Sequence, residues 1–170
     1  MEIKTLPMVE RKILANQFRI LSKIEENSEY YENRAEILEY GYTGQYHEVF
    51  EEMWDETTME ICNETSEILN MYRRIDNAFK SLKDSEISDA DIQKIKFEGF
   101  DANNDSHYHY CAFMIEKMNL WQEHKDIYLN SHSQLPLMKY RKMLKCQSDI
   151  LIDNKNDFDE ADLIKLIGVI

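Results

Sequence analysis

The sequence predicts an all-α fold, a multi-helix bundle of about six to eight helices around one long central helix. The 170 residues include only four Gly and two Pro, which is too few for the tight turns of a multi-stranded sheet. Apolar residues instead recur every three or four positions over long segments, as they do on a helix that faces a core. The length suits one domain, so we expect residues 1–170 to form a single helical domain.

Three helices are expected in the N-terminal part of the chain. The first runs from about residue 7 to residue 26, with Thr5 in a position to cap it. Its apolar stripe, which we expect to face the core, consists of Val9, Ile13, Ile20 and Ile24, with Leu14, Phe18 and Leu21 beside it. The second helix ends at Gly41, because glycine tolerates the left-handed conformation that follows a helix end. The third helix extends to about Trp54.

The longest helix is predicted to begin at a capping box formed by Thr57 and Glu60. Apolar or small side chains then alternate at spacings of four and three: Ile61, Thr65, Ile68, Tyr72, Ile75, Phe79 and Leu82. Such spacing keeps one side of a helix facing a neighbour over its whole length. We interpret it as the central helix of a bundle, with a homodimeric seam as the less favoured alternative.

The C-terminal half predicts shorter elements. Ser88 caps a brief helical turn, and residues 95–101 alternate apolar and polar side chains, which indicates an extended loop or a minor strand. A helix is expected from about residue 104 to residue 125, and another from Pro136 to about residue 146. The last helix is capped by Asp159.

Charge and cysteine content point to an acidic cytoplasmic protein. The net charge of −13 repels phosphate backbones, so nucleic-acid binding is not expected. One small basic run remains as an alternative nucleic-acid surface, comprising Lys139, Arg141, Lys142 and Lys145. The three cysteines form no C-x-x-C pair and suit reduced thiols. Neither a signal peptide nor an apolar stretch of membrane-spanning length is apparent.

Possible metal ligands occur only in incomplete patterns. Residues 101–105 match the first ligands of a calcium loop, but Ser106 and Ala112 replace the glycine and the glutamate that such a loop requires. His107 and Cys111 share a helix face and could hold zinc, yet two further ligands are not identifiable. We therefore expect neither a metal nor a cofactor.

No nucleophile motif or phosphate-binding loop is present. The side chains best suited to acid–base chemistry are Asp101, His107 and His132, which lie in or beside polar loops. A ligand pocket would draw on Asn16, Gln17, Tyr140 and Arg141. A purely structural role, in which such groups tie loops to helices, is the favoured interpretation.

Three segments together resemble the YfbU family. They are residues 10–17, residues 97–101 with Tyr108 and residues 113–114 after them, and the stretch from residue 130 to Leu144 with Pro136 and Tyr140. The resemblance implies a helical, intracellular, mainly bacterial protein of no established activity that assembles as an oligomer. Among the matching positions are Asn16, Gln17, Asp101 and His132.

Three functional hypotheses follow from these observations. The first is a non-enzymatic interaction or regulatory protein that acts as a homo-oligomer, with or without a further protein partner. The second is an enzyme or ligand-binding protein with a polar pocket near Asp101 and His132, which requires the two side chains to converge. The third is nucleic-acid binding through the basic helix at residues 139–145.

Overall fold

The computed structural model describes residues 5–51, 53–82, 86–131, 136–151 and 157–170. Eight α-helices and no β-strand occur within these residues, which confirms the all-α prediction. None of the described helices is both long and apolar enough to cross a membrane. The chain forms two compact units, Met1–Glu56 and Thr57–Ile170. That residues 1–170 make a single domain stays a prediction.

The first unit is built on a pair of packed helices. Helix α1 spans Met8–Ile24 and α2 spans Ser28–Tyr40; a 3-10 turn at Thr43–Gln45 and the short α3, Tyr46–Phe50, follow. The buried centre consists of Ala15, Leu38 and Tyr46. The third helix is therefore shorter than the sequence predicted, and it ends before Trp54.

The junction between the two helices depends on Gly41 and Arg11. Gly41 ends α2 with a φ of 72°, the left-handed conformation predicted for it. Arg11 on α1 donates a hydrogen bond of 3.2 Å from Nη1 to the carbonyl oxygen of Leu38. A cation is thus held at the C-terminal end of α2, where the helix dipole favours positive charge.

The apolar stripe predicted on α1 does not face the core of the first unit. Val9, Ile13, Ile20 and Ile24, here called the α1 stripe, are 71%, 53%, 61% and 70% exposed. The face that packs on α2 instead contains Ala15 and Ser22, whose small side chains are buried and allow close approach. Helix α1 has apolar residues on two faces. The periodicity of the sequence does not show which of these faces α2 covers. Thr5 does not cap this helix; Pro7 occupies the N-cap position.

The second unit surrounds α4, Met59–Ser81. The long stripe predicted for this helix is confirmed, since its central residues Thr65, Ile68, Tyr72 and Ile75 are all buried. Thr58, rather than Thr57, caps the helix by accepting a hydrogen bond from the Ile61 N–H at 3.4 Å. Helix α4 contacts three other helices of the unit, which makes it central here.

Four further helices complete the second unit: α5, Asp89–Lys94; α6, His107–Ala112; α7, Pro136–Ile150; and α8, Glu160–Ile167. Ser88 caps α5 as predicted. Asp159 caps α8 and forms a reciprocal capping box with Asp162. Both caps satisfy backbone N–H groups that a helix start leaves without partners.

The helix predicted from residue 104 to residue 125 is wrong in length. Helix α6 passes into a π-helical turn at Phe113–Lys117, which ends with a 3.1 Å hydrogen bond from the Met118 N–H to the Phe113 oxygen. Asn119 and Trp121 then adopt positive φ angles of 55° and 46°. Asn tolerates this conformation, and the Trp121 indole N–H donates to Asn70 Oδ1 at 3.0 Å, which fixes the ring.

Residues 97–101 form an extended loop with one bridge, as the alternating pattern predicted. Phe100 pairs with residues 129–131: its N–H donates to the Leu129 oxygen at 2.8 Å, and its oxygen accepts from the Ser131 N–H at 2.9 Å. Gly99 has a φ of 78° and lies directly against the Leu129 carbonyl. Any Cβ at position 99 would overlap that oxygen.

Replacing Gly99 by alanine should therefore destabilise the second unit. We expect Gly99→Ala to lower the free energy of unfolding by about 2 kcal/mol or more, because left-handed strain and overlap with backbone atoms add. Gly44→Ala is the matched control, since a Cβ there meets no atom within 4 Å. Urea unfolding of the two variants tests this, and equal midpoints would contradict it.

Candidate functional site

Three polar side chains from three helices converge in the second unit, and we call them the Glu64 cluster: Glu64 on α4, His107 on α6 and Arg141 on α7. The Glu64 carboxylate accepts from Arg141 through Nε at 2.7 Å and Nη2 at 2.8 Å. His107 Nε2 lies 2.8 Å from Glu64 Oε2. The structure thus unites two predicted site residues, His107 and Arg141, with an acid that the sequence analysis did not single out.

Electrostatics hold this acid in its charged form. The hydrogen bonds from Arg141, followed by that from His107, lower the pKa of Glu64, although partial burial opposes them. An ionised carboxylate only accepts hydrogen bonds, so His107 Nε2 carries the proton in this contact. The other ring nitrogen, Nδ1, is buried and meets no hydrogen-bond partner among the described residues.

The cluster suits a structural role better than an acid–base role. His107 is only 4% exposed and its ring stacks on Phe100, with the ring centres 5.4 Å apart. A general base must reach the proton of a bound substrate, whereas Nδ1 here has no solvent-facing surface. The arrangement ties α4, α6 and α7 together through one carboxylate.

Cys111, one helical turn after His107, is an inert thiol in this structure. Its side chain is completely buried, and burial raises its pKa to about 12. A thiolate is the form that attacks carbonyl groups or binds zinc. Clusters of three or more metal-binding side chains are likewise absent from the described part of the chain.

Asp101 is engaged within its own loop. Its carboxylate accepts from the Asn103 N–H at 2.8 Å and from the Asn104 side-chain amide at 2.7 Å. These bonds are typical of an aspartate that shapes a turn. His132 lies outside the described residues, so its convergence with Asp101 stays a prediction.

The candidate binding residues are in separate places. Tyr140 is fully buried, and its hydroxyl donates to the Gly99 oxygen at 2.8 Å. Asn16 and Gln17 are exposed on α1, where their amides lie among the residues of the α1 stripe.

The basic run at residues 139–145 is partly neutralised. Lys139 donates to Glu98 at 2.5 Å and to the Lys94 carbonyl at 3.1 Å. Arg141 is committed to Glu64. Lys142 and Lys145 are exposed, but two lysines make a small footprint for a phosphate backbone.

A second histidine of this unit, His124, is also buried. It is 1% exposed, packs on Phe97 with ring centres 5.2 Å apart, and has Asp76 Oδ2 at 3.9 Å from Nδ1. Neither ring nitrogen meets a partner at hydrogen-bonding geometry within the described residues. Burial lowers the pKa of His124, although the nearby carboxylates of Asp76 and Glu123 oppose the shift. Only a tertiary structure reveals such a burial.

These features define an all-α protein whose recognisable polar groups mainly brace helices and loops. A family model for the YfbU domain matches residues 3–166. A UPF0304 protein of the archaeon Methanocaldococcus jannaschii is 32% identical over 168 residues, which cover 96% of this chain and 99% of that protein. The chain belongs to the YfbU family, as its sequence motifs indicated. Since this relative is archaeal, a bacterial source stays a prediction.

Removing the shared carboxylate should destabilise the second unit. In Glu64→Ala, a buried histidine N–H and the Arg141 guanidinium both lose their acceptor, at an expected cost of about 1–3 kcal/mol in unfolding free energy. Glu67→Ala is the control, an exposed acid on the same helix. Thermal or urea unfolding measures the difference; a Glu64→Ala variant as stable as the control would contradict the structural role.

Stability should depend on pH through His124. Because its folded-state pKa is lowered, the unfolded chain takes up this proton first as pH falls below about 6.5. The neutral histidine therefore contributes stability that is present above that pH and is lost as pH falls towards its folded pKa.

In His124→Phe this contribution to the pH dependence should disappear. The difference in unfolding free energy between wild type and variant should be constant above pH 7.5. Below about pH 6.5 it should change by up to about 1.4 kcal/mol per pH unit, in favour of the variant. His47→Phe, at an exposed position, serves as the control. A constant difference down to pH 5 would refute the assignment.

Proposed function

We propose that this YfbU-family protein is a non-enzymatic interaction or regulatory protein that acts as a homo-oligomer in the cytoplasm. The observation that carries the proposal is the exposed α1 stripe, four aliphatic side chains on one face of one helix. Contiguous apolar patches on a protein surface typically mark contact sites with other proteins. A regulatory or stress-related setting is part of the same proposal.

The polar groups support this class over an enzyme. His107 Nε2 and Arg141 both hydrogen-bond to Glu64, and Cys111 is buried with a raised pKa. Catalytic groups are expected to face a cavity with their reactive atoms accessible. One pocket of about 250 Å³ lies in the first unit, and its lining includes Arg11 and Glu39 but no histidine or cysteine.

Order-of-magnitude energies are consistent with self-association. Each side chain of the α1 stripe is about half to three-quarters exposed, and burying that exposed part contributes roughly 1–2 kcal/mol per side chain. A two-fold contact buries each residue of the stripe twice, which gives roughly 8–16 kcal/mol against an association cost of about 4–15 kcal/mol. A dissociation constant of 1 μM requires a net gain of about 8 kcal/mol, so association at micromolar concentrations requires contacts that flank the α1 stripe as well.

Native mass spectrometry of protein purified without chelator tests the proposal. We expect a clean multiple of the 20.4 kDa chain mass without an added metal or small molecule. A monomer at micromolar concentration, or a stoichiometric extra mass in every preparation, would contradict it.

The variant Ile13→Asp should shift this spectrum to monomer, because it places a charge in each copy of the contact. Ile164→Asp is a closely matched control: both side chains are helical and 53% exposed. The dissociation constant should rise at least about tenfold in the first variant only. Equal effects of the two substitutions would remove the α1 stripe from the contact.

A further inference from the structure

We propose that the α1 stripe is an antiparallel homodimer contact, with the two-fold axis passing between residues 16 and 17. The inference rests on the proposed self-association and adds the direction and the register of the contact. A two-fold contact uses the same patch on both copies. If position i of the first copy meets position j of the second, then position j of the first copy meets position i of the second. The arrangement of residues on α1 meets this condition.

The stripe is symmetric about its own midpoint. Ile13 and Ile20 lie equally far from the point between residues 16 and 17, and Val9 and Ile24 do so at the next distance out. When two copies of α1 run in opposite directions about that point, Ile13 lies opposite Ile20 and Val9 lies opposite Ile24. Each layer of the contact is then filled by two aliphatic side chains, as in antiparallel helix pairs.

The midpoint itself carries two amides. The side chains of Asn16 and Gln17 are exposed. Across the proposed axis, Asn16 of one copy meets Gln17 of the other, twice. Each amide offers a donor and an acceptor. A shifted alignment would instead bury these groups against isoleucine, so the amides specify the register.

Charge on the first unit favours a second copy as the partner. The α1 stripe and its central amides contain no ionisable group. Helix α1 has four basic residues and one acid, whereas α2 has four acids and one base, so the two helices together are neutral. Two of the bases are paired within the chain, Arg19 with Glu39 at 2.7 Å and Lys23 with Glu32 at 3.1 Å. Two copies can therefore approach here despite a net charge of −13.

Site-directed cysteine cross-linking tests the register on the full chain. We would prepare Val9→Cys and Ile24→Cys separately, oxidise each alone and as an equal mixture, and identify the linked peptides by mass spectrometry. Wild type under the same oxidant gives the background from Cys62, Cys111 and Cys146, which are free thiols. Both substituted positions are exposed, and circular dichroism checks that the helices persist.

The antiparallel contact predicts a disulfide between positions 9 and 24 in the mixture and none in either variant alone. Position 9 would lie about 22 Å from its own counterpart at 1.5 Å per residue, well beyond the reach of a disulfide. A link between two copies of position 9 would overturn the antiparallel register. A stable oligomer that forms no link at either position, and that Ile13→Asp leaves intact, would overturn the surface while the proposed self-association survives. A wild-type chain that is monomeric would overturn both.

Discussion

Tyr140 makes the contact on which the second unit depends most. Its ring is fully buried, with centre-to-centre distances of 5.3 Å to Tyr72 and 5.6 Å to Phe100. Its hydroxyl donates to the Gly99 oxygen and accepts from the Glu98 N–H. One side chain on α7 thereby joins the central helix to the extended loop. Burial raises the pKa of Tyr140, so the hydroxyl keeps the proton that it donates.

The same logic extends to the other polar groups of this unit. Asp101 shapes the loop that Gly99 and Phe100 begin, and the Glu64 cluster braces the helix that follows. Each of these side chains would draw attention in a search for an active site. Their hydrogen bonds go to neighbouring backbone and side-chain groups, which is how buried polar groups are normally satisfied. Among the described residues, Asp101, His107 and Tyr140 thus each form hydrogen bonds that join helices and loops.

Helix periodicity and capping rules predicted the parts of the fold that depend on residues close together in the sequence. The central helix α4, the left-handed Gly41, and the caps Ser88 and Asp159 each follow from a spacing or a residue type that acts within a few positions. The early end of α6 did not follow, because Asn119 and Trp121 take up positive φ angles that tertiary contacts stabilise.

The candidate site shows the same division. His107 and Arg141 were predictable as polar residues in a suggestive context, but Glu64 resembles any acid on a solvated helix face until its partners are known. The orientation of α1 is the sharpest case. Both of its faces carry apolar residues, and the covered face is the one where Ala15 and Ser22 let α2 approach. Helix α2 packs on the face whose small side chains allow close approach, and the apolar pattern of α1 alone does not indicate this choice.

The exposed aliphatic surface on α1 is the feature on which the proposed self-association rests. We propose that a second copy of the chain covers this surface in solution. Hydroxyl-radical footprinting of the wild-type chain at two concentrations measures its accessibility directly. Dilution should increase the oxidation of Ile13 and Ile20. The oxidation of Ile164 should stay constant, and this residue is a suitable control because it is as exposed as Ile13 in a single chain. Identical oxidation of Ile13 and Ile20 at nanomolar and high micromolar concentrations would contradict the account.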